Sequence, residues 1–225
     1  MVRVTYPTEA YKELFHIRPL KKVSSSVLKG LPSRKETEGK TMRSCIGMMN
    51  MASSGFAVFC PWTFTVAYKN NEWGVAYPDE YDPPVSPLLQ FHPKVQHGKF
   101  LENHGMLKIS LPITMRDKTE RQYLFHGPTM HNPMLSGDAT VVSGITDLKY
   151  IEEVNVFIAL KEAEGAEYHF NTGDVILQLI PLTEETVELN HVVGYPRDYT
   201  GIGYFSPAFK SAYFKVKDFY KRIAD

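Results

Sequence analysis

The chain has no excess of charge of either sign, with 25 Lys and Arg balancing 25 Asp and Glu over 225 residues. Without a net basic field it has no global means of holding a polyanion, which argues against general nucleic-acid binding and against adsorption to an anionic membrane. Cysteine is almost absent. Cys45 and Cys60 make no C-x-x-C pair and stand near no spaced His set, so a disulfide framework and a structural zinc site are not expected, and both thiols read as free in a reducing cytoplasm. Long apolar runs are missing as well. MVRVTYPTEAYKELF lacks the apolar stretch of a secretion signal, and nothing approaches the roughly 20 apolar residues of a membrane span, so a soluble, intracellular protein is expected. No internal repeat or low-complexity tract is visible.

What the chain does have is β punctuation, densest from Val142 to Leu182. Ser143-Gly144 opens a turn, Val154, Val156 and Ile158 alternate with Asn155 and Phe157, and Asn171-Thr172-Gly173-Asp174 turns the chain into VILQLIPL. Alternation of period two marks strands with one buried face, and the last run is apolar enough for a central strand. LKISLPITM repeats the pattern, with Leu107, Ile109, Leu111 and Ile113 set against Lys108, Ser110 and Thr114, and Arg116-Asp117-Lys118 reads as the turn that follows. RQYLFHGPTMHNPM is a strand followed by a loop. Upstream, FAVFCPWTFTVAYK and EWGVAYP read as a hairpin about Asn70-Asn71, with Trp62 and Trp73 as cross-strand partners and Pro61 requiring an edge or a bulge.

Helical signals are short. TEAYKELFHI suits a helix from Thr8 that Pro19 stops, and the Ser-, Lys- and Gly-rich segment after it reads as a surface arm. TMRSCIGMMNMASSG suits a helix capped by Thr41 and closed by Gly55, with Ile46, Met49 and Cys45 inward and its methionines filling core. DEYDPPVSP is a loop. Ser206 and Pro207 suit a helix start, and Phe209, Ala212, Tyr213, Val216, Phe219, Tyr220 and Ile223 follow at helical spacing. The expected organisation is an N-terminal arm over 1–40, a single mainly-β domain over 41–205 with its core at 107–190, and a C-terminal helix over 206–225.

Histidine supplies the candidate metal ligands. His92, His97 and His104 are close in sequence, and His126 and His131 flank the loop after a strand. Imidazoles are common transition-metal ligands, so His92, His97, His126 and His131 are candidates, although their spacings match no helix face and no His-x-Asp/Glu strand. Loop histidines that satisfy backbone groups are the competing reading. A cupin-like metal protein would draw its carboxylate from Glu102 or Asp138.

Gly144, Ile145, Asp147 and Tyr150, followed by Gly173, Asp174, Ile176 and Gln178, resemble the third and fourth motifs of the trimeric dUTPases. That resemblance covers about forty residues and implies a β-clip or distorted jelly roll, assembled as a homotrimer with sites shared between subunits. It further implies that Asp147 is the general base that activates water, that Tyr150 packs beneath the deoxyribose, and that Mg²⁺ neutralises the triphosphate. Ser143, Gly144, His126 and Gln178 would then line the ligand site. The Pro-Arg-Ser-Gly phosphate element of that family has no proper counterpart; His126-Gly127-Pro128-Thr129 stands in its place.

A second resemblance, from about Gly30 to Pro181, rests on TMRSCIGMM, CPWTF, FHPKVQHG, LKISLP, FHGP, SGITD and GDVILQLIP. These look like a family of phage-encoded proteins of unknown function, which implies a place in the infected bacterial cytoplasm or on the virion. Three readings follow: a binding or structural protein on a dUTPase-like scaffold, with a host or virion protein as partner; a nucleotide-binding protein or dNTP pyrophosphatase; and a cupin-like metal protein.

Overall fold

The computed structural model describes residues 1–6, 20–22, 44–78, 89–119, 121–128, 131–135, 137–149 and 152–193. Tyr150, the helix from Thr8, the Thr41 cap, the DEYDPPVSP loop, most of the arm and the C-terminal helix lie outside them. In chain order the strands and helices are β1 (Val2–Tyr6), β2 (Leu20–Lys22), α1 (Ile46–Ser53), β3 (Phe56–Phe59), β4 (Phe64–Lys69), β5 (Glu72–Ala76), β6 (Leu89–His92) and α2 (Lys94–His97). There follow β7 (His104–Asp117), β8 (Gln122–His126), β9 (Ala139–Val141), β10 (Gly144–Asp147), β11 (Glu152–Lys161), β12 (Glu167–Phe170), β13 (Val175–Pro181) and β14 (Leu189–Val193). The protein is mainly β, as the alternation predicts.

The long strand β7 organises the first sheet. One of its edges runs against β11, and the other is shared by β6 near its start and β1 near its end. The strand order is β14-β1-β7-β11-β9, with β6 on β7 beside that path. Val2 and Val4 are fully buried, so residues that read as part of an arm are core strand. The β7–β11 register shifts between Glu153 and Asn155, opposite Pro112, which has no N–H to give to the ladder. A second sheet, β10-β8-β13-β3-β2, places β13 between two neighbours, and the run from Val175 to Leu179 is buried throughout. A third, β12-β4-β5, is smaller. Apolar side chains from all three sheets meet in one core cluster.

The hairpin about Asn70-Asn71 is β4–β5, and both asparagines have positive φ, 54° and 62°, as a two-residue type I′ turn requires. The stretch before it is not a single arm. β3 belongs to the second sheet and β4 to the third, because the chain bends through Cys60, Pro61 and Trp62. Trp62 and Trp73 are therefore not cross-strand partners. Trp73 faces Tyr68 across the hairpin and stacks on Phe91 at 5.3 Å between ring centres, which ties the third sheet to the first. Its indole lies over Gly105, where an added Cβ would come within 2.2 Å of Nε1.

The helix over the methionines is shorter and oriented differently than its sequence suggests. It starts at Ile46, which is 77 % exposed, Cys45 is exposed too, and Ala52 is its buried residue. Met48 and Met49 are half-buried, so α1 turns a small apolar face inward, and its C-terminal carbonyls supply further attachment. Gly55 closes the segment at φ +71°, with Leu179 O where a Cβ would sit.

Candidate functional site

The ends of β7, β10 and β13 converge on the start of β8 around an open cleft of about 720 Å³. Asp147 pairs with Gln122 across β10 and β8, Leu182 N donates to Gln122 O at 2.9 Å, and Asp117 N donates to Leu148 O at 2.6 Å. These bonds fix Thr119, Arg121, Gln122, Asp147, Lys149 and the loop 182–185 around one opening.

Beneath it lies a polar network. Asp117 is fully buried. Its Oδ2 accepts from Tyr123 Oη at 2.6 Å and from Arg121 Nη1 at 3.1 Å, and its Oδ1 accepts from Thr119 N at 3.1 Å. Burial alone would raise the Asp117 carboxyl, but the bonds from Tyr123, Thr119 and Arg121 outweigh it and leave the group below its ordinary range. Tyr123 is pushed well above its ordinary value, first by burial and then by its bond to Asp117. The network is thus a carboxylate held ionised under a phenol held neutral. The rest of the guanidinium faces the cleft, where Nη2 and Nε both donate to Glu185 Oε2, at 2.5 Å and 3.2 Å.

Asp117 is no turn residue, as Arg116-Asp117-Lys118 suggested; it is the last residue of β7. The signal was available, because the inward series 107, 109, 111, 113 and 115 reaches 117 at the next step. A charged residue beside Arg and Lys reads as a turn, and nothing in the sequence marks Tyr123 and Arg121 as its partners.

The residues implied by the dUTPase resemblance are divided. Asp147 lines the cleft, is exposed, and spends Oδ1 on its own turn by accepting from Lys149 N at 3.2 Å. His126, Ser143 and Gly144 lie at the far end of the β8–β10 pair, three to four residues or ~10–13 Å along the strands. There His126 Nδ1 is 3.5 Å from Ser143 Oγ. Gln178 is buried and donates Nε2 to Met51 O and Ser54 O, both at 2.7 Å, so it ties down the C-terminal carbonyls of α1. Gly173-Asp174 completes a turn: Gly173 has φ +92°, Asp174 N donates to Asn171 O at 3.0 Å, and Asp174 Oδ2 accepts from Asn171 N at 2.8 Å.

The candidate metal histidines are also dispersed. His131 Nε2 donates to Ala52 O at 2.9 Å, another α1 carbonyl. His92 Nδ1 is bonded to Gln96 Oε1, and its ring meets Phe157 edge-on at 5.5 Å. His92 Nε2 and both His97 ring nitrogens are shielded from solvent and have no hydrogen-bond partner among the described residues. Among the described residues no group of three His, Cys, Asp or Glu is placed to hold a metal ion, and none of their helices is long and apolar enough to cross a membrane. No family model, curated protein or solved structure matches the chain.

Proposed function

We propose that this chain is a phage-type accessory protein on a dUTPase-like scaffold, a β-clip or distorted jelly roll, that binds a partner and performs no nucleotide hydrolysis. It acts in the cytoplasm of the infected bacterial host or on the virion, as a homo-oligomer for which the resemblance favours a trimer, with a host or virion protein as partner. The observation that supports this reading is how the candidate residues are employed. Gln178 holds α1 and Asp174 closes a turn, and the Asp147 carboxylate already serves its own turn, about 13 Å from His126 and Ser143. Hydrolysis of a triphosphate needs a base within reach of the attacking water together with ligands converging on the phosphates. Incubation with each deoxynucleoside triphosphate and Mg²⁺, followed by assay of pyrophosphate release, is expected to show no turnover. Turnover that a folded Asp147→Asn variant loses would overturn the proposal.

That outcome would favour a second reading, a nucleotide-binding protein or dNTP pyrophosphatase with Asp147 as general base. Its support is that Asp147 shares the cleft with Arg121 and Lys149. Mg²⁺, which usually takes one or two carboxylates and completes its shell with phosphate oxygens and water, would find Asp147 and Glu185 there. A cupin-like reading has no three-ligand group among the described residues to build on.

A further inference from the structure

Arg121 is anchored to a buried carboxylate on one side and to an exposed one on the other. Inside, Nη1 bonds Asp117, whose side chain is 1 % exposed and whose other partners are Tyr123 and Thr119 N. Outside, Nη2 and Nε converge on a single oxygen, Glu185 Oε2. A guanidinium edge is shaped for two parallel bonds to two oxygens of one carboxylate or phosphate, so Glu185 uses that edge poorly. Glu185 is also weakly committed. It sits in the bend-rich segment after β13, and its side chain is 68 % exposed against 16 % for Arg121, so it can leave toward solvent while the guanidinium stays in place.

From this geometry we infer that the outer edge of Arg121 is an oxyanion-binding site, taking a phosphate or carboxylate group of a small ligand, and that Glu185 is its built-in competitor. The buried Asp117 keeps the guanidinium aimed outward, so the site is formed before the ligand arrives. Binding exchanges the single-oxygen contact to Glu185 for a two-oxygen contact to the ligand and frees the Glu185 side chain to solvent. No bond is made or broken. Thr119 and Lys149 line the same cleft, as does the Asp147 carboxylate; a phosphate has oxygens left for Thr119 and Lys149 after meeting the guanidinium edge, whereas a carboxylate spends both of its oxygens on it. This goes beyond the reading above and does not depend on it; the residues that carry it are Arg121 and Glu185, not Asp147.

The test is titration of the whole chain with inorganic phosphate and, separately, with acetate at constant ionic strength, followed by NMR of the backbone amides of Thr119, Arg121 and Lys149. Phosphate is expected to shift these signals saturably, and acetate more weakly. Glu185→Gln removes the competitor on an exposed loop and is expected to tighten phosphate binding roughly two- to fivefold, the range for an exposed ion pair. Arg121→Lys in the Glu185→Gln background keeps the charge and loses the two-pronged edge, and about a tenfold weakening is expected. If acetate binds as tightly as phosphate, the site stands and its ligand is a carboxylate. Two outcomes would overturn the inference: signals that respond to neither anion in the Glu185→Gln variant, or equal affinity in the variant carrying Lys at 121. Turnover abolished by Asp147→Asn would defeat the non-hydrolytic reading and leave this site standing, whereas a silent cleft would remove this site and leave that reading intact.

Discussion

Tyr123 gives its phenolic hydrogen to Asp117 across 2.6 Å, and both residues are fully buried beneath the cleft. The pair joins the end of β7 to β8 and holds Arg121 through the same carboxylate oxygen. Tyr123→Phe keeps the ring and deletes the donor, so a buried carboxylate loses one of its partners. An unmet buried acceptor costs about 1–3 kcal/mol, and more when charged. Urea denaturation is expected to show a lower midpoint with an unchanged slope; a midpoint within error of the wild type would mean that Asp117 has found another donor.

The same pair contributes to both limbs of the pH–stability curve. Asp117 has a folded pKa below its ordinary 3.8, so the unfolded chain binds the proton first on acidification. Its contribution is present above that value and is lost as pH falls through the lower folded value. Tyr123 is shifted the opposite way, above its ordinary 10.0. The unfolded chain therefore loses the phenolic proton first, and stability falls as pH rises above 10, with Tyr168 and Tyr77, also raised by burial, contributing in the same direction. Melting temperatures taken across pH should show both limbs. In Tyr123→Phe the acid limb should be shallower, since Asp117 has lost a bond that favours its charge, and the alkaline limb shallower too.

The strands were legible where one face is buried and the other is not. Leu107 to Met115 and Val154 to Ile158 alternate cleanly in sequence, and their inward members are nearly all fully buried. Asn70-Asn71 was legible because few residues tolerate positive φ twice in succession. Other features were set by tertiary structure. Val2–Tyr6 is too short to show a pattern, and its partners are more than a hundred residues away in β7 and β14. Ile46 faces solvent because α1 is positioned by Gln178 and His131 through its carbonyls, a contact that leaves no periodicity. Asp117 was hidden by chemistry, since a turn motif and a buried ionic network use the same residue types.

Gly55 tests the attachment of α1 to the second sheet. Its φ of +71° disfavours any L side chain, and a Cβ there would lie 2.0 Å from Leu179 O and 2.9 Å from Ile180 Cα, both backbone atoms of β13. Neither can swing aside as a flexible side chain would. Gly55→Ala therefore combines backbone strain with a clash, and a loss of roughly 2–4 kcal/mol is expected from strain of this kind. Calorimetry should show a clear fall in Tm, whereas Gly47→Ala, where the added methyl meets nothing within 4 Å, should be neutral or slightly stabilising.

Gln178 separates a packing role from a ligand role. Gln178→Leu preserves bulk and removes the donor shared by Met51 O and Ser54 O. Ser54 O loses this donor and Met51 O keeps Ser54 N alone, which should weaken the C-terminal turn of α1 by about 1–3 kcal/mol. Hydrogen exchange should then accelerate at the α1 amides, with the β7 and β11 amides changing far less, and phosphate titration of the cleft should be unaffected. Loss of anion binding in a variant whose α1 exchange is normal would return Gln178 to a ligand role.

The two thiols report on the core without any ligand. Cys45 is exposed at the start of α1, whereas Cys60 is fully buried and gives its S–H to Trp62 O at 3.1 Å. Burial first, with the charge of Asp174 adding to it, pushes the Cys60 thiol up to about 12, against a backbone hydrogen bond from Trp62, which lowers it. Because the thiolate is the reactive form, Cys60 is protected twice, by access and by protonation. An aromatic disulfide reagent near pH 8 should titrate one thiol per native chain promptly and the second only at the rate of unfolding. Destabilising variants such as Gly55→Ala should therefore speed the second phase and leave the first unchanged. Prompt reaction of both thiols in the native protein would mean that the bend through Cys60, Pro61 and Trp62 opens to solvent independently of the core.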